Sequence, residues 1–156
     1  MSSLIDEQDA TGKTKEIYAD IQEKFGMVPN FFKAQAAVDP DWLALNWQRE
    51  KEIMLADGAL DRKTKEIIAL VVSMVNGCEY CSLAHESMAR MVGASKDEIN
   101  DVKKVVDLFC SFNAIADSLK VPCDIMPPLL PFPTGMKMAG GRDFLGSAFV
   151  MGGGMV

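Results

Sequence analysis

Along residues 12–120 the apolar positions recur at helical spacing almost without a break. Ile17, Ile21 and Phe25 stand at i, i+4 and i+8, and Tyr18 widens their stripe, which predicts one amphipathic helix that Gly26 stops. After the short segment "VPNFF", Asp39 is placed to N-cap a second helix with Pro40 in its first position, reaching to about Leu55. The turn "ADGALD" separates it from a helix over residues 61–75. The second half of that helix, "IIALVVSMV", is apolar on every side, so it is expected to be enclosed by other helices. Asn76 and Gly77 tolerate the left-handed backbone that ends a helix, and a further helix over residues 78–92 is terminated by Gly93. Ser95 with Glu98 forms a capping box, and the stripe Ile99, Val102, Val105, Val106, Phe109 carries the last helix to about Lys120. No stretch alternates apolar and polar residues at strand length, so the fold class is all-α.

The pattern fails at Val121. Five of the seven prolines fall between Pro122 and Pro133, and seven of the twelve glycines between Gly135 and Gly154, so a regular helix cannot continue. The same tail is rich in Met, Leu and Phe and nearly uncharged, unlike a solvated linker. Residues 1–120 are therefore expected to form one helical domain, and residues 121–156 an extended Pro/Gly/Met-rich arm packed on that core or on a neighbouring subunit. A total of 156 residues supports one domain of ordinary size.

Charge narrows the function classes. A formal net charge of −6 without any Lys/Arg run argues against nucleic acid and against an anionic membrane surface. The longest apolar run is about half of what a bilayer requires, so no membrane span is expected. The N-terminal "MSSLIDEQDA" has no basic stretch followed by an apolar core; a cytoplasmic location is expected.

The candidate chemistry lies in "NGCEYCSLAHE", residues 76–86, where two of the four cysteines stand beside the single histidine. Cys78, Cys81 and His85 at i, i+3 and i+7 share one helix face within roughly 60°. Two thiols three residues apart at a helix start can close a disulfide, and a thiolate there is favoured by unpaired N–H groups and the helix dipole. His85, one turn beyond Cys81, is placed to take its proton. Glu66, leading into the apolar run of the preceding helix, is the candidate to orient that imidazole; the alternative is a solvated first-turn carboxylate. Zinc is a rival, with Glu66 or Cys110 as a fourth ligand, although no second Cys or His pair is present. A third possibility is two packed thiols beside an ordinary histidine. Cys110 and Cys123 have no assigned role.

The stretch "LDRKTKEIIALVVSMVNGCEYCSLAHESMARMVGASKDEI" resembles the AhpD-like alkylhydroperoxidases of the carboxymuconolactone decarboxylase superfamily. Their pattern is a glutamate twelve residues before a C-x2-C pair and a histidine four after it, which Glu66, Cys78, Cys81 and His85 match. The segment "GMVPNFFKAQAAVDPDWLALNW" is similar to the lead-in of the peroxidase-related branch, so the resemblance covers roughly residues 12–120. It implies a bundle of about six or seven helices, a homotrimer or homohexamer, and no bound cofactor. It further implies that Cys81 attacks a hydroperoxide and that Cys78 resolves the product to a disulfide, which a dithiol donor such as a lipoyl or thioredoxin-like protein resets. One position departs from the peroxidase branch: Tyr80 stands where those members have a histidine, and a phenol is a poor base at neutral pH. That substitution makes thiol–disulfide exchange without much peroxidase activity the alternative reading.

Overall fold

A computed structural model describes residues 3–124. The proposed arm from residue 125 onward lies outside the described residues. Contacts divide the chain into two units, Met1–Ser111 and Phe112–Val156.

All regular structure among the described residues is helical: α1 (Gly12–Phe25), α2 (Asn30–Val38), α3 (Pro40–Glu50), a π-helical turn (Lys51–Leu55), α4 (Arg62–Val75), α5 (Glu79–Met91) and α6 (Lys96–Ser118). The caps anticipated at Asp39 and Ser95 are formed, and Asp61 caps α4 as well. Asp39 accepts the Asp41 N–H at 2.8 Å with Pro40 behind it, and Asp61 accepts the Thr64 N–H at 2.7 Å. Ser95 and Glu98 exchange two bonds, Glu98 Oε2 accepting from the Ser95 N–H and Ser95 Oγ from the Glu98 N–H. Lys63 of α4 adds an ion pair to Glu98, and the cluster holds that carboxyl down at about 2.

Two departures from the sequence pattern shape the first unit. "VPNFF" does not stay a connector: Asn30 and both phenylalanines open α2, which buries Phe32, Gln35 and Ala36. The helix expected to reach Leu55 is α-helical only to Glu50, then widens, with the Ala56 N–H bonding to the Lys51 carbonyl five residues back.

The first core cluster gathers Tyr18, Ile21, Val28, Phe32, Leu43 and Trp47 from α1, α2, α3 and the loop between the first two. Trp47 is its centre, meeting Phe25 and Phe32 edge-on at ring distances of 5.4 Å each. Its indole N–H donates to Asp20 at 2.8 Å, and Lys24 and Lys51 complete the ring of donors that holds the Asp20 carboxyl well below the usual range. The second cluster is smaller, joining Leu70, Ala89, Ala94 and Ile99 across α4, α5 and the start of α6. α4 and α5 form the most extensive helix pairing.

Among the described residues, the apolar half of α4 is not enclosed by helices on all sides. Leu70 is buried, but Ile68, Val72 and Val75 are exposed, because one face only of α4 packs on α5. No helix among the described residues is long and apolar enough to cross a membrane.

Leu43 is fully buried, whereas Leu45 two residues on is exposed. Leu43→Ala should therefore cost about 2–5 kcal/mol in urea denaturation, from lost transfer energy and the cavity left behind. Leu45→Ala should stay within about 0.5 kcal/mol of the parent. Equal losses would contradict this core.

Candidate active site

α4 and α5 are joined by Asn76, Gly77 and Cys78, and the sharp reversal needs Gly77 at a φ of 67°, in the left-handed region where a side chain would be strained. Immediately after it, Cys78 is the N-cap of α5, and its Sγ accepts the Cys81 N–H at 3.2 Å. Cys78 and Cys81 are joined as a disulfide, with Cα atoms 5.3 Å apart. Both cysteines are half-buried. A thiolate on either would lie among the unpaired N–H groups of the first turn of α5, an environment that favours the anion.

Behind the pair lies a buried carboxylate. Glu66, the fifth residue of α4, is 1% exposed, so the solvated first-turn alternative does not describe it. One oxygen bonds to the Nδ1 of His85 at 2.7 Å; the other accepts from Arg62 Nε at 2.7 Å and pairs with Nη2 at 2.6 Å. Burial pushes the Glu66 carboxyl up, but the bonds from His85 and Arg62 together outweigh burial and leave it below the usual range. With Glu66 ionised, His85 carries its proton on Nδ1 and presents Nε2 as the basic lone pair. His85 stands one turn beyond Cys81 on the same face of α5.

Tyr80 meets α2. The Phe31 N–H, one of the unpaired first-turn donors of that helix, donates to Tyr80 Oη at 3.2 Å, and the two rings stack at 6.5 Å and 28°. The phenol thus ties the start of α5 to the start of α2.

The four residues singled out from spacing therefore fall into two pairs, the disulfide and the Glu66–His85 hydrogen bond. Two partners escaped that reading. Arg62 stands four residues before Glu66, the ion-pair spacing of a helix, and this signal was available. Phe31 had none. Glu50 is half-buried, and its carboxyl is pushed up first by burial and then by the charge of Glu66, with Arg62 and His85 opposing. Cys110 and Cys123 are exposed and outside the disulfide. Among the described residues no group of three or more His, Cys, Asp or Glu side chains is arranged to hold a metal ion.

Because the folded-state value of Glu66 lies below the unfolded one, its stabilising contribution is complete above the ordinary carboxylate value and is lost as pH falls through the folded value. Glu66→Gln should cost roughly 3 kcal/mol at pH 7, since Arg62 and His85 lose a buried counter-charge. The gap between parent and variant should narrow on acidification below about pH 4. Urea denaturation of both proteins across that range measures it, and a gap independent of pH would contradict the assignment.

Residues 40–122, just over half of the chain, match the model of the carboxymuconolactone decarboxylase family. Among curated proteins, uncharacterized protein 4 in the cox locus of Paracoccus denitrificans is 39% identical over 67 residues, covering 43% of this chain and 56% of that protein. Alkyl hydroperoxide reductase AhpD of Mycobacterium ulcerans is 30% identical over 57 residues, covering 36% of this chain and 32% of the relative. The chain thus spans about half the length of the first relative and about a third of the second. Among solved structures, the alkylhydroperoxidase AhpD core of Rhodospirillum rubrum superposes with a TM-score of 0.69 at 32% identity, covering 72% of this chain and 83% of that one. With the helical fold, the C-x2-C turn and the buried Glu66–His85 pair in place, the chain belongs to the carboxymuconolactone decarboxylase family, on its AhpD-like side.

Proposed function

We propose that this protein is a thiol-dependent peroxidase that reduces organic hydroperoxides through Cys81 and Cys78. The observation that carries the reading is the Cys78–Cys81 disulfide at the start of the helix that also bears His85, itself hydrogen-bonded to buried Glu66. Packing alone gives a buried carboxylate at that position no function; proton transfer does. The names of the Mycobacterium ulcerans relative and the Rhodospirillum rubrum neighbour point the same way.

In the reduced protein, His85 Nε2 takes the Cys81 proton, and Glu66 stabilises the imidazolium. The thiolate attacks the terminal hydroperoxide oxygen, forming an S–O bond as the O–O bond breaks. The departing alkoxide takes the proton from His85, giving an alcohol and a Cys81 sulfenic acid. Cys78 then attacks that sulfur, the S–O bond breaks, and the hydroxide leaves with the Cys78 proton as water. The disulfide that results is reduced by two electrons from a dithiol donor, a lipoyl or thioredoxin-like protein, through a mixed disulfide at Cys78. A homotrimer or homohexamer and a cytoplasmic setting belong to this reading.

Tyr80 supports a second reading. Its oxygen is engaged by the Phe31 N–H, and a phenol does not replace the imidazole of the peroxidase branch as a base at neutral pH. The site would then exchange disulfides and reduce hydroperoxides slowly.

Steady-state turnover of an alkyl hydroperoxide with a dithiol donor separates the two. The parent should exceed Cys81→Ser and Cys78→Ser by at least about 100-fold, the scale on which loss of a nucleophile or its partner is felt. Tyr80→His should raise the rate several-fold. A parent no faster than either serine variant across several donors defeats the peroxidase proposal, and a parent that exchanges disulfides but spares the hydroperoxide supports the second reading.

A further inference from the structure

We infer that Tyr80 is a positioning residue of the thiol pair: by capping α2 it holds the first turn of α5 in the form in which the Cys78–Cys81 disulfide closes. The inference rests on the reading of Cys78 and Cys81 as a pair that opens and closes. α2 has no side-chain cap of its own, because its N-cap is Pro29, which carries no acceptor there, and its first N–H groups must find partners elsewhere. The Phe32 and Lys33 N–H groups both turn to the Pro29 carbonyl, at 3.0 and 3.2 Å. The Phe31 N–H instead donates to Tyr80 Oη at 3.2 Å, 49 residues along the chain. A side chain of α5 thus does for α2 what an N-cap serine does within its own helix. The Tyr80 ring stacks on Phe31, and Phe31 meets buried Phe32 edge-on at 5.4 Å, so the tie ends on the first core cluster.

Tyr80 is also one of the two residues inside the ring that the disulfide closes. Closing that ring takes backbone freedom from Glu79 and Tyr80, so part of the ordering that the cap requires is already done. Opening it returns the freedom, and the cap then forms at its own entropic cost. Coupling of this kind is reciprocal: a disulfide that favours the cap is favoured by the cap to the same factor. The net worth of one hydrogen bond limits that factor to about tenfold. Tyr80 is 47% exposed, so its oxygen can be removed without opening a cavity in the core.

The full chain is equilibrated with reduced and oxidised glutathione, and the dithiol and disulfide fractions are read by alkylation and peptide mass spectrometry at Cys78 and Cys81. Two glutathione molecules give the pair two electrons and two protons and leave as glutathione disulfide. Tyr80→Phe keeps the ring and loses the acceptor; it should move the equilibrium toward the dithiol by about twofold to tenfold. In the parent, exchange of the Phe31 amide followed by NMR should be faster in the dithiol form by a similar factor, and in Tyr80→Phe it should be the same in both forms. A residue that merely packs would change the melting temperature of both redox forms alike and leave the glutathione equilibrium in place. An equilibrium unmoved by Tyr80→Phe, or moved toward the disulfide, overturns the inference, as does a parent whose Phe31 amide exchanges equally fast in both forms. Because no hydroperoxide is used, this result is independent of whether the protein turns one over.

Discussion

The site is organised by the need to satisfy one buried negative charge. Glu66 is 1% exposed in a helix whose following residues are apolar, and an isolated carboxylate there would be costly. Arg62 and His85 remove that cost by bonding to one oxygen each, from the preceding turn of the same helix and from the neighbouring helix. The bond to His85 fixes more than stability. It sets the ring orientation and the tautomer, and the pairing of α4 with α5 thereby leaves Nε2 as the nitrogen turned away from Glu66. The Gly77 reversal that brings α5 back along α4 places Cys78 at the cap, and the disulfide follows from the same short connection.

The first helices supply the rest of the frame. The Trp47 cluster locks α1, α2 and α3 together, and from that block one contact reaches toward the site. Phe31, beside buried Phe32, holds Tyr80 between the cysteines. The site therefore depends on the packing of the first three helices although its sulfurs and its imidazole belong to α5.

Much of this was legible in the sequence, for specific reasons. Helical spacing of Ile17, Ile21 and Phe25, and the caps at Asp39 and Ser95, are local signals, and the helices begin where they indicate. Glu66, Cys78, Cys81 and His85 were legible as residue types at fixed spacing. The remainder depends on long-range contacts that no local pattern encodes. The apolar run of α4 suggested enclosure on all sides, but Ile68, Val72 and Val75 are exposed on the chain. "VPNFF" reads as a connector because Pro29 precedes it, although a proline ahead of a helix is compatible with one, and α2 starts at the next residue. The periodicity that predicts a helix through Leu55 does not distinguish four-residue from five-residue bonding, so the π-helical turn was hidden.

The most direct measurement is a single turnover. Cys78→Ser protein, fully reduced, is mixed with one equivalent of an alkyl hydroperoxide and a sulfenic acid trap, and the adduct is located by peptide mass spectrometry. A stoichiometric adduct on Cys81 is expected, with its formation slowed at least about tenfold by adding Glu66→Gln, as for removal of the group that supports a general base. An adduct spread over Cys110 and Cys123, or a Cys81 adduct formed at the same rate without the Glu66 carboxylate, would contradict it.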